Sequence, residues 1–427
     1  MLGLLTLGGY HLLPEPEGAD FVIVNTCGFL EIARQESLSV IQEMLRLKAQ
    51  GLVGGVIVAG CLAERDREGL LQQCPGIDQL VGVFGREKIA LAADRLVGGA
   101  PGGNVILPAA PKYPLPDGDR VRLTLPHLAF LKIAEGCDRL CTFCSIPNMR
   151  GGYVSKPIDE IVAEAEQLAA DGVRELILIA QDTTSYGLDL AGEPRLAELL
   201  RRLEQVDRLE WIRLMYLYPM YITDELIEVL ASGRKLIPYL DLPLQHISSR
   251  ILRRMKRRVT RSDTERLLDR LRNGIANLVL RTTMITGFPG ETDQDFRDLL
   301  DFVVERRFER LGVFAYSREP DTPAARLPDQ VSASLAQEHR DRLLAAQQTV
   351  AFAWNRSQVG RRLDVLIDRD IRGEKNAMVG RSYADAPEVD GAVYVTGEAL
   401  QPGQIVPCEI VVARDYDLIG AAVGKPR

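Results

Sequence analysis

No stretch of this chain reaches the roughly 18 consecutive apolar residues that a membrane span needs, although 46% of its 427 residues are hydrophobic. The first residues, MLGLLTLGGYHLLPEPEG, are apolar but carry no basic n-region and no small-residue cleavage site. They do not read as a secretory signal. Basic charge is also short, with 52 Lys+Arg against 59 Asp+Glu, a formal net charge of −7 and a pI near 5.4. That balance argues against a phosphate backbone as the main partner and suits a protein that docks a basic one. Cysteine is scarce: the seven residues are odd in number and clustered. A disulfide framework is therefore a poor reading, and metal ligation in a reducing cytoplasm a better one.

What is present points to two or three domains, since 427 residues exceed one ordinary core. Residues 1–99 alternate apolar strands with helical patterns: FVIVNTCGF (21–29), a helix from Glu31 to Gln50, VGGVIVAGCLAE (53–64) and a short strand at 79–82. Such alternation predicts a parallel, doubly wound α/β sheet, whose ligands sit at the strands' carboxyl ends. Cys27 and Cys61 both fall there, each just past a strand. Ordinary small core thiols are the plain alternative, but the equivalence of the two positions favours a shared metal site. Cys74, at a helix end in QQCPG, reads as structural. A Pro/Gly-rich connector over 100–122 follows.

Residues 123–356 repeat strand and helix six times, with apolar strands at 129–134, 174–180, 210–217, 238–244, 278–285 and 311–316. Six β/α units predict a partial TIM-like barrel with its active groups just past the strands. The candidates are Gln181 and Asp182, Tyr216, Gln245 and His246, and Thr286. TGFPGET (286–292) offers Thr286, Gly287 and Gly290 in a loop able to hold the nucleoside or carboxylate part of a cofactor, or to serve as a plain strand-to-helix turn. The most basic stretch, RILRRMKRRVTR (250–261), reads first as a solvated helix face.

Within this core lies GCDRLCTFCSIPNMRGG (136–152), with Cys137, Cys141 and Cys144 spaced CxxxCxxC. Three thiolates can hold three irons of a 4Fe–4S cube and leave the fourth open. A zinc knuckle competes, but the nearest histidines, His127 and His246, are too far along the chain to complete it. The spacing, Phe143 before the third cysteine and the LAFLKIAEG lead-in resemble the radical S-adenosylmethionine enzymes. That resemblance implies that the open iron chelates the amino and carboxylate groups of S-adenosylmethionine. It also implies that Phe143 lies by the adenine, and that one electron from the cluster releases a 5′-deoxyadenosyl radical.

Residues 357–427 carry short strands separated by turns, LDVLI, AMVGRS, AVYVTG and IVPCEIVV, and predict a small β-barrel. The segment resembles the TRAM module, often an RNA binder. Here it has 9 Lys+Arg against 11 Asp+Glu over 358–427, the wrong sign for gripping RNA. Cys408 sits inside a strand and reads as core.

The three parts together resemble the methylthiotransferases over essentially the whole chain. NTCGFL, GCDRLCTFCSIPNMRG, IAQDTTSYG, RLMYLYP, YLDLPLQHIS, RTTMITGFPGET and ARDYDLIG are similar to the RimO-type branch, which acts on a ribosomal protein. The likeness implies hydrogen removal from the β-carbon of an aspartate in small-subunit ribosomal protein number twelve, a very basic substrate. It implies a second 4Fe–4S cluster, on Cys27 and Cys61, that carries the methylated sulfur, and an electron donor such as flavodoxin or ferredoxin. An enzyme of the transfer-RNA branch, and a non-catalytic ribosome- or RNA-binding iron–sulfur protein, are the rival readings. One departure stands out: the family's second cluster takes three cysteines, the first in a CPKN-like loop, and nothing here precedes Cys27. The expectation is a chain lacking its first strand and first ligand, with one complete cluster and one incomplete.

Overall fold

The computed structural model describes residues 1–98, 103–111, 113, 114, 118 and 120–427; the predicted connector 100–122 falls partly outside them. The chain packs into two compact units, Met1–Val121 with Glu135–Val154 and Ser317–Arg326, and Arg122–Ala134 with Ser155–Tyr316 and Leu327–Arg427. The cysteine loop thus packs with the amino-terminal sheet, and the carboxy-terminal barrel with the six β/α repeats.

In the first unit, β1 (Val22–Thr26), β2 (Val56–Gly60), β3 (Gln79–Val81) and β4 (Val105–Ile106) form a parallel sheet in that order. Strand residues alternate sides, and each side of β2 reaches a different core. Val56 and Val58 pack with Leu38, Ile41, Leu62 and Leu70, contributed by α2 (Glu31–Ala49), α3 (Cys61–Asp66) and α4 (Glu68–Gln73). Ile57 and Ala59 pack with Leu5 of α1 (Leu2–Leu7) and with Ile89, Ala92 and Ala93 of α5 (Ile89–Gly98). Helices on both faces explain why β2 is buried along its first four residues and reads as a continuous apolar run. Among the described strands β1 is the sheet's edge, flanked by a cavity of about 730 Å³ lined by Tyr10, Phe21 and Val22 among others.

The second unit holds β5 (Leu128–Lys132), β6 (Glu175–Ile179), β7 (Trp211–Leu214), β8 (Leu236–Asp241), β9 (Val279–Thr286) and β10 (Arg310–Ala315). They lie side by side in chain order, all parallel, as the open six-stranded sheet of a partial TIM-like barrel. The helix Asp293–Arg306 starts on a reciprocal capping box, Thr292 with Asp295. The helix Ala333–Ser357 closes the repeats.

Strands β11 (Arg362–Asp370), β12 (Ala377–Ser382), β13 (Val393–Thr396), β14 (Ile405–Arg414) and β15 (Asp417–Ala422) close a barrel in the order β11-β12-β13-β15-β14. Cys408 is fully buried in its core with Val365 and Val395. The barrel is fused to the β/α sheet by buried charge. Glu175 at the start of β6 receives Arg213 Nε at 2.8 Å and Arg381 Nη1 at 2.6 Å, and Arg381 also forks onto both oxygens of Asp368. Asp368 pairs in turn with His127 at 3.0 Å. No helix of the described residues is long and apolar enough to cross a membrane.

Candidate active site

The end of the first unit's sheet is where its chemistry gathers. Strands β1 and β2 run parallel with Thr26 opposite Gly60, so the next residues, Cys27 and Cys61, leave the sheet side by side. The backbones approach closely: a Cβ on Gly28 would lie 2.7 Å from the Cys61 carbonyl oxygen, and one on Gly60 2.7 Å from that of Thr26. Only glycine fits there. The Cys27 N–H donates to Ser37 Oγ at 3.1 Å, which ties its loop to α2. Cys27 is exposed and Cys61 half-buried. Cys74, as the sequence suggested, lies in the core (3% exposed), where burial raises its thiol pKa.

The CxxxCxxC loop belongs to the same unit. Gly136, at φ +80°, faces Gly152 so closely that a Cβ would stand 2.0 Å from the Gly152 oxygen. The loop is closed there by Cys137 N–H to Gly151 O at 3.1 Å and Tyr153 N–H to Asp138 Oδ1 at 3.0 Å. Cys144 N–H turns back to Cys141 O at 3.1 Å, and the Arg139 N–H points at Cys137 Sγ from 3.4 Å. These features fit a 4Fe–4S cube: three soft thiolate donors, a backbone crossing that admits no side chain, and an amide aimed at a ligand sulfur. Among the described residues no three Cys, His, Asp or Glu side chains are gathered as tightly as a single metal ion requires; a cube takes each thiolate at a different corner.

Sequence reasoning missed one residue that joins the two cysteine groups. Arg150 ends the short helix α6 (Ile146–Arg150) just after the third cysteine. Its Nη2 lies 3.3 Å from Cys61 Sγ and its Nη1 3.1 Å from Glu135 Oε1. The only hint in the sequence was the Arg-Gly-Gly that ends the cysteine stretch.

In the second unit the candidates past the strands take different roles. Gln181 is half-buried. Asp182 is buried, accepting from Thr184 and Ser185 to cap the turn Thr183–Ser185. Tyr216 and Gln245 are held at φ +60° and +71°, positive angles that cost side-chain-bearing residues energy and gather at functional sites. Tyr216 stays exposed while its N–H donates to the buried Asp241. His246 is fully buried: Nδ1 accepts from the N–H groups of Ile247 and Ser248, and Nε2 lies 3.4 Å from Glu291. Glu291 also takes the Gly287 N–H at 3.0 Å and His339 at 2.9 Å. Burial raises its carboxyl pKa, but hydrogen bonds from His246, His339 and Gly287 outweigh that and hold it below the ordinary range.

Those bonds shape the 286–292 loop. The Thr286 hydroxyl donates to Ala336 O at 2.9 Å, and a Cβ on Gly287 would meet Ala336 Cβ at 2.1 Å. Gly290, at φ +84°, donates its N–H to Asp329 O. Nor is the basic stretch simply a solvated face. Arg257 is buried, stacked 4.3 Å over the Tyr218 ring and bonded to Pro243 O, because a planar guanidinium packs on aromatic surface.

Residues 131–303 match the Radical SAM superfamily, 359–423 the TRAM domain and 1–82 an uncharacterized protein family, UPF0004. A ribosomal protein uS12 methylthiotransferase RimO of Anaeromyxobacter sp. (strain K) is 44% identical over 425 residues, all of this chain and 90% of the relative. This chain belongs to the RimO methylthiotransferase family. The RimO protein of Lachnoclostridium phytofermentans is equally similar, 44% identical across 99% of this chain and 96% of its own length. Among solved structures, the radical S-adenosylmethionine methyltransferase TsrM of Kitasatospora setae superimposes with a TM-score of 0.55 at 19% identity, covering 75% of this chain and 66% of TsrM. At that identity TsrM supports the fold alone. A RimO-family chain is thereby a radical S-adenosylmethionine enzyme and a transferase, of α/β fold with a carboxy-terminal β-barrel.

Proposed function

We propose that this protein adds a methylthio group to the β-carbon of an aspartate in ribosomal protein uS12. The observation that carries the reading is 44% identity to uS12 methylthiotransferases over the whole chain, the cysteine loop included. We assign Cys137, Cys141 and Cys144 as the thiolates of a 4Fe–4S cluster. When bound there, the cluster supplies the one-electron chemistry that lets S-adenosylmethionine remove a hydrogen atom from an unactivated carbon.

The chain's own residues then have separate tasks. Each of the three thiolates takes one corner, and the Arg139 N–H stabilises the charge on Cys137. Phe143 in the first unit is assigned to the adenine of the cofactor. In the second unit, Gln181, Thr286, Gly287 and Gly290 are assigned to S-adenosylmethionine. Because the Thr286 hydroxyl is engaged by Ala336, this stretch would contribute chiefly backbone. Cys27 and Cys61 are assigned to a second 4Fe–4S cluster that carries the sulfur; the family likeness calls for three thiolates, and the buried Cys74 is not offered as the third.

The division into a cluster domain (1–99), connector (100–122), radical core (123–356) and TRAM module (357–427) is kept as the functional partition. The net charge of −7 favours a basic protein over transfer RNA. A flavodoxin or ferredoxin is the proposed electron donor, and the cytoplasm, where ribosomes are built, the compartment. Replacing Cys141 by Ala tests the assignment: 5′-deoxyadenosine formation should fall to background. Near-normal formation by that variant would refute it.

A further inference from the structure

We propose that Glu319, in the strap Ser317–Arg326, is a positioning residue that sets the Cys27 loop and the Cys61 end of α3 relative to the CxxxCxxC loop. The inference rests on the reading of Cys27 and Cys61 as the sulfur-carrying site.

The strap follows β10, the last strand of the six repeats, yet it packs in the first unit. Its centre is Glu319, whose side chain is 2% exposed. A buried carboxylate survives only among donors and cations, and apart from Ser317 of the strap itself each of these groups belongs to an element near a cysteine. The 19-residue helix α2 begins four residues after Cys27. Its N-cap, Leu30, has no side chain able to cap it. Glu319 Oε1 supplies the cap instead, accepting the Glu31 N–H at 2.9 Å. A carboxylate at a helix amino terminus is favoured by the exposed N–H groups and the helix dipole.

Two arginines complete the clasp. Arg34 of α2 lies 3.2 Å from Glu319 Oε2, and Arg65 of α3 3.6 Å. Arg65 stands four residues after Cys61, and its Nη1 also donates to Gly28 O at 2.8 Å, one residue after Cys27. Its Nη2 bonds Asp321, again on the strap. Glu319 is itself steadied by Ser317 Oγ at 2.8 Å, and its carbonyl takes Thr322 Oγ1 at 2.7 Å. The strap's far end reaches the CxxxCxxC loop. Ala324 N–H donates to Thr142 O at 2.9 Å, between Cys141 and Cys144. One ten-residue segment therefore touches the start of α2 just past Cys27, the helix α3 that Cys61 begins, and the CxxxCxxC loop.

Sulfur transfer needs a sulfur and a carbon radical to meet in register, and a displacement of about 1 Å at a reacting centre can cost on the order of a hundredfold. Radical formation draws on the CxxxCxxC loop and the residues assigned to S-adenosylmethionine, not on Cys27 or Cys61. Loosening Glu319 should therefore separate the two half-reactions.

The test compares the full-length wild type with Glu319→Gln and Glu319→Ala, with Arg201→Ala in an exposed ion pair as control. Hydrogen exchange should quicken about tenfold over residues 27–31 and 61–67 in Glu319→Ala, less in Glu319→Gln, and stay unchanged in the second unit. In the reconstituted enzyme with uS12, 5′-deoxyadenosine formation should hold within about twofold while 5′-deoxyadenosine released per methylthio product rises at least about tenfold. Unchanged exchange at those two segments, exchange quickened throughout both units, or equal loss of both half-reactions would overturn the proposal. Cys61→Ser separates the two ideas: if methylthio transfer survives it, the reading of Cys61 fails, while the exchange result still decides the role of Glu319.

Discussion

Glu175 Oε2 accepts a hydrogen bond from Arg381 Nη1 at 2.6 Å, with both side chains buried. Glu175 begins the second strand of the β/α sheet and Arg381 lies in the second strand of the terminal barrel, so one ion pair joins two segments that the sequence presents as separate modules. Burial raises the Glu175 carboxyl pKa, but Arg381 and Arg213 outweigh that and hold it low. Removing the carboxylate strips the buried Arg213 of its carboxylate partner and leaves Arg381 with Asp368 alone.

Glu175→Ala should therefore destabilise the second unit by about 3–5 kcal/mol, the usual cost of breaking a buried pair from one side. Chemical denaturation followed by tryptophan fluorescence can measure this, since Trp211 and Trp354 both pack in the core shared by sheet and barrel. A loss below about 1 kcal/mol, as for a surface pair, would contradict the claim.

Gly136→Ala should abolish cluster binding in the loop. A methyl group there would collide with Gly152 O and force an unfavourable positive φ. Iron in the loop and S-adenosylmethionine cleavage should both fall by about a hundredfold or more, while the denaturation of the second unit stays as in the wild type.

Alkylation of the iron-free protein should order the cysteines. The thiolate is the nucleophile, and burial pushes Cys408 up to about 12, helped by Asp364, and raises Cys74 too. Iodoacetamide at neutral pH should label the exposed Cys27 first and leave Cys74 and Cys408 untouched until the chain unfolds, as mass spectrometry of the digest can show.

Asp295 makes stability depend on acid pH. Burial alone would raise its pKa, but bonds from Ser248, Thr292 and Arg250 pull it down to about 2, against an unfolded value of about 3.9. A lowered folded pKa stabilises above the unfolded value and loses that contribution as pH falls through the folded one. The stability gap between wild type and Asp295→Asn should thus be full above pH ~4 and shrink toward pH ~2. A gap that stays constant across that window in urea titrations would rule this out.

The residues themselves show what the sequence made legible. VIVAG is apolar at every position and LAFLK at all but Lys132, because both faces of a parallel strand are covered, so these strands could be read to within a few residues. Cys27 and Cys61 could be paired because each ends a strand, and parallel registry then sets them side by side. Glu319, Arg65 and Arg150 could not be read this way. Their partners lie tens to hundreds of residues away, and an isolated Glu or Arg carries no periodicity that predicts burial. The grouping of the cysteine loop with the amino-terminal sheet was hidden for the same reason: it depends on packing between distant segments.

The most direct measurement of the central claim follows hydrogen. Reconstituted protein would be given S-adenosylmethionine, a reductant and uS12 carrying β-deuterated aspartate, with transfer RNA in a parallel reaction. The account predicts deuterium in the 5′-deoxyadenosine formed with uS12, and none from the Cys141→Ala protein. Deuterium-free 5′-deoxyadenosine with uS12, or methylthio-adenosine in the transfer RNA, would contradict it.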